Sequence, residues 1–187
     1  MKKLLALVLA LVMTMSLVTI SNAAFKDADK IDYDEAVEVM NAIGVLVGDE
    51  KGNFNAKDNL TRAQAAKIIS YLLLGNKTAE ALAGSGKFTD VAKTSWFAGF
   101  VDYCASTGVV NGVGDGKFDP NATVTTAQAV LMLCRALGYF QNAADFGDNW
   151  MLAATAKGTA LGLYGDLKLT ANAGLTRDNV AELVFNA

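Results

Sequence analysis

The 187-residue chain contains no histidine. That absence removes the side chain that most often serves as general base, zinc ligand and member of a catalytic triad. Cysteine is almost as scarce: there are two, Cys104 and Cys134, and they do not form a Cys-x-x-Cys pair. They read either as small buried apolar residues or, in an exported chain, as a disulfide. A surplus of positive charge is also missing. Sixteen Lys and Arg face nineteen Asp and Glu, for a formal net charge of −3, which makes a poor nucleic-acid binder. An anion bound here must be held by local groups. Beyond the N-terminus no run of residues is apolar and long enough to span a membrane.

The N-terminus is where the apolar run lies. Met1-Lys2-Lys3 is a short basic region, Leu4 to Met13 is an apolar stretch, and Ser21-Asn22-Ala23 fits a small-x-small cleavage site. This pattern reads as a secretory signal peptide over residues 1–23. The apolar run falls short of the roughly 20 residues of a permanent anchor, so no membrane contact is expected after cleavage. Loss of Lys2 and Lys3 makes the chain more acidic by two charges. What remains suffices for one medium domain or for several small repeats sharing a core.

Repeats are what the chain has most of. IGVLVGDEKGNFNAKDNLTRAQAAKIISYLLLG, ending at Gly75, is matched by TGVVNGVGDGKFDPNATVTTAQAVLMLCRALG, ending at Gly138. Gly44 maps onto Gly108, Phe54 onto Phe118, Thr61 onto Thr125 and Gln64 onto Gln128 without a gap. A shorter third copy runs from Leu161 to Ala187. Upstream markers Phe25-Lys-Asp27, Phe88-Thr-Asp90 and Phe146-Gly-Asp148 precede the copies, followed by Tyr33, Trp96 and Trp150. A unit this small cannot bury its apolar face alone, so the copies must pack on one another. The expected units are 24–76, 87–140 and 145–187, joined by short polar connections over 76–87 and 141–145.

Each unit reads as helix, loop, helix. In the first, Tyr33, Ala36, Val37, Met40 and Ile43 share one helical face, and Gly44 stops the helix. The second helix starts with a capping box, Thr61 at N-cap and Gln64 at N3. Ala65, Ile68, Ile69, Leu72 and Leu73 form its stripe. Thr125 with Gln128, then Thr176 with Asn179, repeat the design, and Asn is the weaker N3 partner. The second stripe is Ala129, Val130, Leu133, Ala136 and Leu137. Phe54 and Phe118 are expected to plug the loops into the core, with Leu169 as the third equivalent. Asp27, Asp90 and Asp148 are expected to cap the first helices or bond the neighbouring loops. No glycine stop follows Val184-Phe185, so the native product is expected to continue past Ala187.

The Phe-x-Asp openings, the aromatic before helix one, the Gly-Asp-x-x-Gly-x-Phe loop and the Leu-Thr-Arg-Ala-Gln start of helix two resemble the S-layer homology family. Its hallmark Thr-Arg-Ala-Glu stands here as Thr61-Arg62-Ala63-Gln64, Thr125-Thr126-Ala127-Gln128 and Thr176-Arg177-Asp178-Asn179. The resemblance implies an all-α fold in which three helix-loop-helix repeats pack as a pseudo-threefold bundle. It implies grooves holding a secondary cell-wall polysaccharide, often with pyruvylated amino sugars, and a tether for S-layer proteins or exoenzymes. The implied place is outside the cell, on the wall or in the S-layer. The implied partners are that polymer and other S-layer subunits, with no cofactor, no metal and no catalysis.

The residues themselves point toward an anion. Arg62 and Arg177 stand at N1, where a cation opposes the helix dipole. A carboxylate site accounts for them, with helix amides and a guanidinium converging on one anion. The candidate ligand residues are Arg62, Arg177, Gln64, Trp96 and Trp150, each Trp being alternatively a core anchor between copies. Thr61, Thr125 and Thr176 are helix caps flanking the grooves. Thr126 lacks the guanidinium, so the second motif is expected to bind least, and both arginines are expected to be dispensable for folding. A calcium loop fails, since counting from Gly116 puts Val113 and Ala122 at ligand positions. A glycosidase-type carboxylate pair does not stand out from the repeat-equivalent acids. A self-assembling surface protein that ignores polysaccharide is the remaining alternative.

Overall fold

A computed structural model describes residues 25–187, so the expected signal peptide lies outside the described residues. The chain there is helical, without strands or sheet: α1 is Asp34–Ala42, α2 Arg62–Leu74, α3 Asn76–Ala79, α4 Ala98–Ser106, α5 Thr126–Ala136, α6 Trp150–Ala160 and α7 Arg177–Phe185. Short 3-10 turns occupy Ala28–Lys30 and Ala143–Phe146. The all-α class follows from the helical stripes, although the C-terminal ends of both stripes leave the core. Ala36, Val37 and Met40 are buried while Ile43 is exposed, and Ala65, Ile68 and Ile69 are buried while Leu72 and Leu73 are exposed.

The stretches before the long second helices are tied in a cycle. Leu60 N–H donates to Leu175 O at 2.8 Å, Val124 N–H to Leu60 O at 2.9 Å, and Leu175 N–H to Val124 O at 3.0 Å. Leu60, Val124 and Leu175 are equivalent residues of the three copies, and each is fully buried. Above this ring, Ala65, Ile68 and Ile69 of α2 meet Ala129, Met132 and Leu133 of α5 and Val180, Leu183 and Val184 of α7 around an apolar void of about 20 Å³. Each second helix also packs on the first helix of another copy: α2 on α4, α5 on α6, and α7 back on α1. Among the described residues the long helices thus pair chiefly between copies, as the repeat argument requires.

Two details were not foreseen from the sequence. The connection after α2 contains α3, whose Ala79 is fully buried, and Asn76 donates to the carbonyls of Ile43 and Gly44 at 3.1 Å. Asn76 thus closes the C-terminus of α1, where Gly44 takes the left-handed φ of 72°. The second detail is Asp178, which stands where the other motifs carry Ala63 and Ala127. It is fully buried and accepts from the amides of Asp32 at 2.9 Å and Tyr33 at 3.3 Å, with Lys57 Nζ 3.4 Å away. Tyr33, the N-cap of α1, provides no cap of its own, and a residue of the third copy binds the two amides that lead into the first helix of the first. Both cysteines are free and buried, which resolves the pair as apolar packing rather than a disulfide. Burial pushes each thiol up to about 11.

Candidate ligand grooves

The loops of the first two copies are clamped in the same way. The Phe25 ring sits 5.2 Å from Phe54, and the Phe88 ring 5.4 Å from Phe118. Asp27 accepts from Phe54 and Asn55 amides at 2.7 and 2.8 Å, and Asp90 accepts from Phe118 and Asp119 amides at 2.8 Å. Burial raises the Asp27 carboxyl, but the amides of Phe54 and Asn55 outweigh it and hold it below the usual carboxylate value. The third marker departs from this pattern. Phe146 stacks on Phe140 with centroids 5.0 Å apart, and Asp148 is exposed. The cause is spacing: Asn149 alone separates Asp148 from α6, whereas Ala28 to Tyr33 and Val91 to Phe97 lie between the earlier markers and their helices. So short a connection cannot lay the marker on the third loop.

The second-helix starts show why the helix amides are not an anion site. Thr61 accepts from Gln64 N and Gln64 Oε1 from Thr61 N, and Thr125 with Gln128 does the same. Thr176 accepts from Asn179 N, with no return bond from the shorter side chain. The remaining first-turn amides are also taken. Arg62 and Ala63 N–H donate to Ala122 and Pro120 carbonyls, Thr126 and Ala127 to Ala173 and Ala171, and Arg177 and Asp178 to Asp58 and Ala56. The N1, N2 and N3 amides of all three helices therefore have protein partners and are closed to a carboxylate.

The arginines are anchored as well. Arg62 is buried; its Nε donates to Phe118 O and its Nη2 to Asn111 O, both at 3.0 Å, and its guanidinium lies 4.6 Å from the Phe118 ring centroid. Arg177 repeats this on the first loop, with Nε to Phe54 O at 2.9 Å, Nη2 to Val47 O at 2.8 Å and the Phe54 ring at 4.8 Å. Burial lowers both guanidinium pKa values from their usual level. Each arginine ties the loop of a different copy. Both therefore hold the bundle together, contrary to the expectation that folding has no use for them. Thr126 takes the third such place. It is fully buried and its Oγ1 donates to Ala173 O at 3.1 Å.

Two cavities gather the remaining candidates in unexpected combinations. One, of about 190 Å³, is lined by Arg177, Gln64, Lys67 and Trp96 together with Val45 to Val47. The other, of about 600 Å³, is lined by Arg62, Gln128, Arg135 and Trp150 together with Val109 to Val113. Arg62 and Gln64 belong to one motif yet face different cavities. Trp96 is 58% and Trp150 39% exposed, so neither is a buried anchor between copies. Sequence reasoning missed Lys67 and Arg135, which lie three and seven residues beyond the N3 glutamines of α2 and α5, a spacing that keeps a residue near the same helix face. A third cavity, of about 560 Å³, runs along the third loop past Tyr164, Lys168 and Leu169. There Leu169 stands in place of the Phe plug and no arginine lines the cavity, since Thr126 at the equivalent motif position is fully buried. Among the described residues no cluster could hold a metal ion, and no helix is long and apolar enough to cross a membrane.

The S-layer homology domain family matches residues 24–66 and 87–130, the two stretches with the clamped markers. The "Middle cell wall protein" of Brevibacillus brevis is 31% identical over 185 residues, covering 98% of this chain and 17% of that protein. The "Surface layer protein" of Brevibacillus choshinensis is 33% identical over 167 residues, 87% of this chain and 15% of that protein. The "Cellulosome-anchoring protein" of Acetivibrio thermocellus is 31% identical over 83 residues, 44% of this chain and 19% of that protein. The chain spans less than a fifth of the length of these curated relatives.

Proposed function

We propose that this chain, which belongs to the S-layer homology family, is a non-catalytic anchoring module that tethers an S-layer or exported protein to the bacterial cell wall. Its ligand is an anionic, pyruvylated secondary cell-wall polysaccharide. Three units, 24–76, 87–140 and 145–187, complete a pseudo-threefold bundle around the Leu60, Val124 and Leu175 ring. The observation that carries the reading is the cavity of about 600 Å³ in which Arg62, Gln128 and the half-exposed Trp150 ring converge. A pyruvyl ketal presents a carboxylate to the guanidinium edge left over from the loop bonds, and its sugar presents an apolar face to the indole. The smaller cavity offers Arg177, Gln64 and Trp96 for the same chemistry. The names of the relatives, a cell wall protein, a surface layer protein and an anchoring protein, support a place on the wall.

Sedimentation of the purified protein with cell walls tests this reading. Binding to intact walls that disappears when the pyruvyl groups are removed is the expected result. Equal binding to walls stripped of their secondary polymer would favour the self-assembling surface protein, and release of reducing sugar would mark an enzyme.

A further inference from the structure

The two arginine-lined cavities differ in charge. In the smaller one Lys67 is neutralised by Glu80, 3.2 Å away. In the larger one Arg135 joins Arg62, and none of the lining residues is acidic. Arg62 already uses Nε and Nη2 on carbonyls, and Asp119 and Asp90 lie close enough to favour its charge. Arg135 has neither kind of compensation. Its guanidinium lies 5.2 Å from the Phe146 ring centroid, its Nε is buried with no hydrogen-bond partner, and no carboxylate pairs with it among the described residues. The pull of the α5 C-terminus accounts for a cation in the last turn. It does not account for a second guanidinium lining a cavity that offers it no carboxylate and no acceptor for its Nε. The equivalent residues in the other copies are Tyr71 and Asn186, so this second guanidinium exists at one place only.

Building on the anionic-saccharide reading above, we propose that the cavity between Arg62 and Arg135 recognises a saccharide unit bearing two anionic groups, and that Arg135 sets this preference. The pyruvyl carboxylate meets Arg62. A second anion on the same or the adjoining residue, a phosphate monoester or another carboxylate, meets Arg135. Phe146 holds the guanidinium plane and Trp150 carries the sugar face between the two charges. The site is therefore more demanding than the Arg177 cavity, which has a single arginine, bonded to carbonyls and flanked by carboxylates, beside a lysine paired with Glu80.

The test uses two probes on the whole chain: a pyruvylated amino-sugar glycoside, and the same glycoside carrying an added phosphate monoester. A Trp96→Phe background leaves Trp150 as the sole tryptophan, so its fluorescence reports this cavity. The two-anion probe is expected to bind about tenfold tighter, the size of one charge-assisted hydrogen bond. Arg135→Gln is expected to abolish that preference while changing the affinity for the one-anion probe less than twofold, and Arg135→Lys to restore part of it. Unchanged thermal melts keep the comparison valid. Lack of preference in the parent, or an equal loss for both probes in Arg135→Gln, overturns the assignment of Arg135. If neither probe binds, the anionic-saccharide reading falls and this inference falls with it.

Discussion

The loop of the second copy is held from three sides and the loop of the third from far fewer. Phe88 plugs the second loop through Phe118, Asp90 binds its amides, and Arg62 binds its carbonyls. In the third, Leu169 is half-buried, Phe146 has turned to Phe140, and Thr126 stands where the guanidinium would be. The two loops descend from the same sequence pattern. The comparison teaches that each loop is built from groups belonging to three different stretches, so a copy keeps its structure only where all three survive. It also teaches that a motif arginine serves its neighbour rather than its own copy. The loop deprived of an arginine by Thr126 is therefore the third, not the second.

The largest expected effect comes from removing the clamp that distinguishes the two loops. Arg62→Ala leaves two carbonyls without donors and removes a ring-stacked cation, and should lower stability by about 3 kcal/mol. Urea unfolding measures it; an unchanged midpoint would mean that Arg62 only serves ligand. Next in size is the marker. Asp27→Ala should cost about 1.5–3 kcal/mol, the range for hydrogen bonds to a charged group. Asp148→Ala should stay within about 0.5 kcal/mol, as an exposed residue does. Equal costs would restore the third marker to equivalence with the first two.

The same carboxylates set an acid limit. Asp27 and Asp90 sit below the usual carboxylate value in the folded state. Their contribution is therefore complete at neutral pH, begins to fade near the unfolded value of about 4, and is lost as pH falls through the folded values. Melting temperatures from pH 7 down to pH 3 should drop accordingly, and less steeply in an Asp27→Asn, Asp90→Asn double variant. A smaller effect belongs to Thr126→Val, which removes one neutral hydrogen bond to Ala173 O and should cost about 1 kcal/mol.

Much of this was legible in the chain. The capping boxes at Thr61 and Thr125, the plugs Phe54 and Phe118 and the need for copies to pack on each other all follow from local pattern and from the size of the unit. The cross-copy bonds did not show, because they depend on which neighbour lies opposite. Arg62 looked spare at N1 only while the carbonyls of Asn111 and Phe118 were out of view. Nothing local marks Asp178, which replaces Ala63 and Ala127, because its partners, the amides of Asp32 and Tyr33, lie in another copy. Phe146 matched the marker by composition, and spacing to α6 betrayed it. Each of the two arginine-lined cavities mixes residues from all three copies, so grouping Arg62 with Gln64 by motif could not describe either one.

Carboxylate recognition by the arginine-lined cavities is tested most directly by titration calorimetry. The intact chain would be titrated with a pyruvylated amino-sugar glycoside and with the methyl ester of its pyruvyl carboxylate. The account predicts measurable binding of the acid and a loss of about tenfold or more on esterification, since the ester removes the charge that the guanidinium recognises. Acid and ester binding with equal affinity would contradict it.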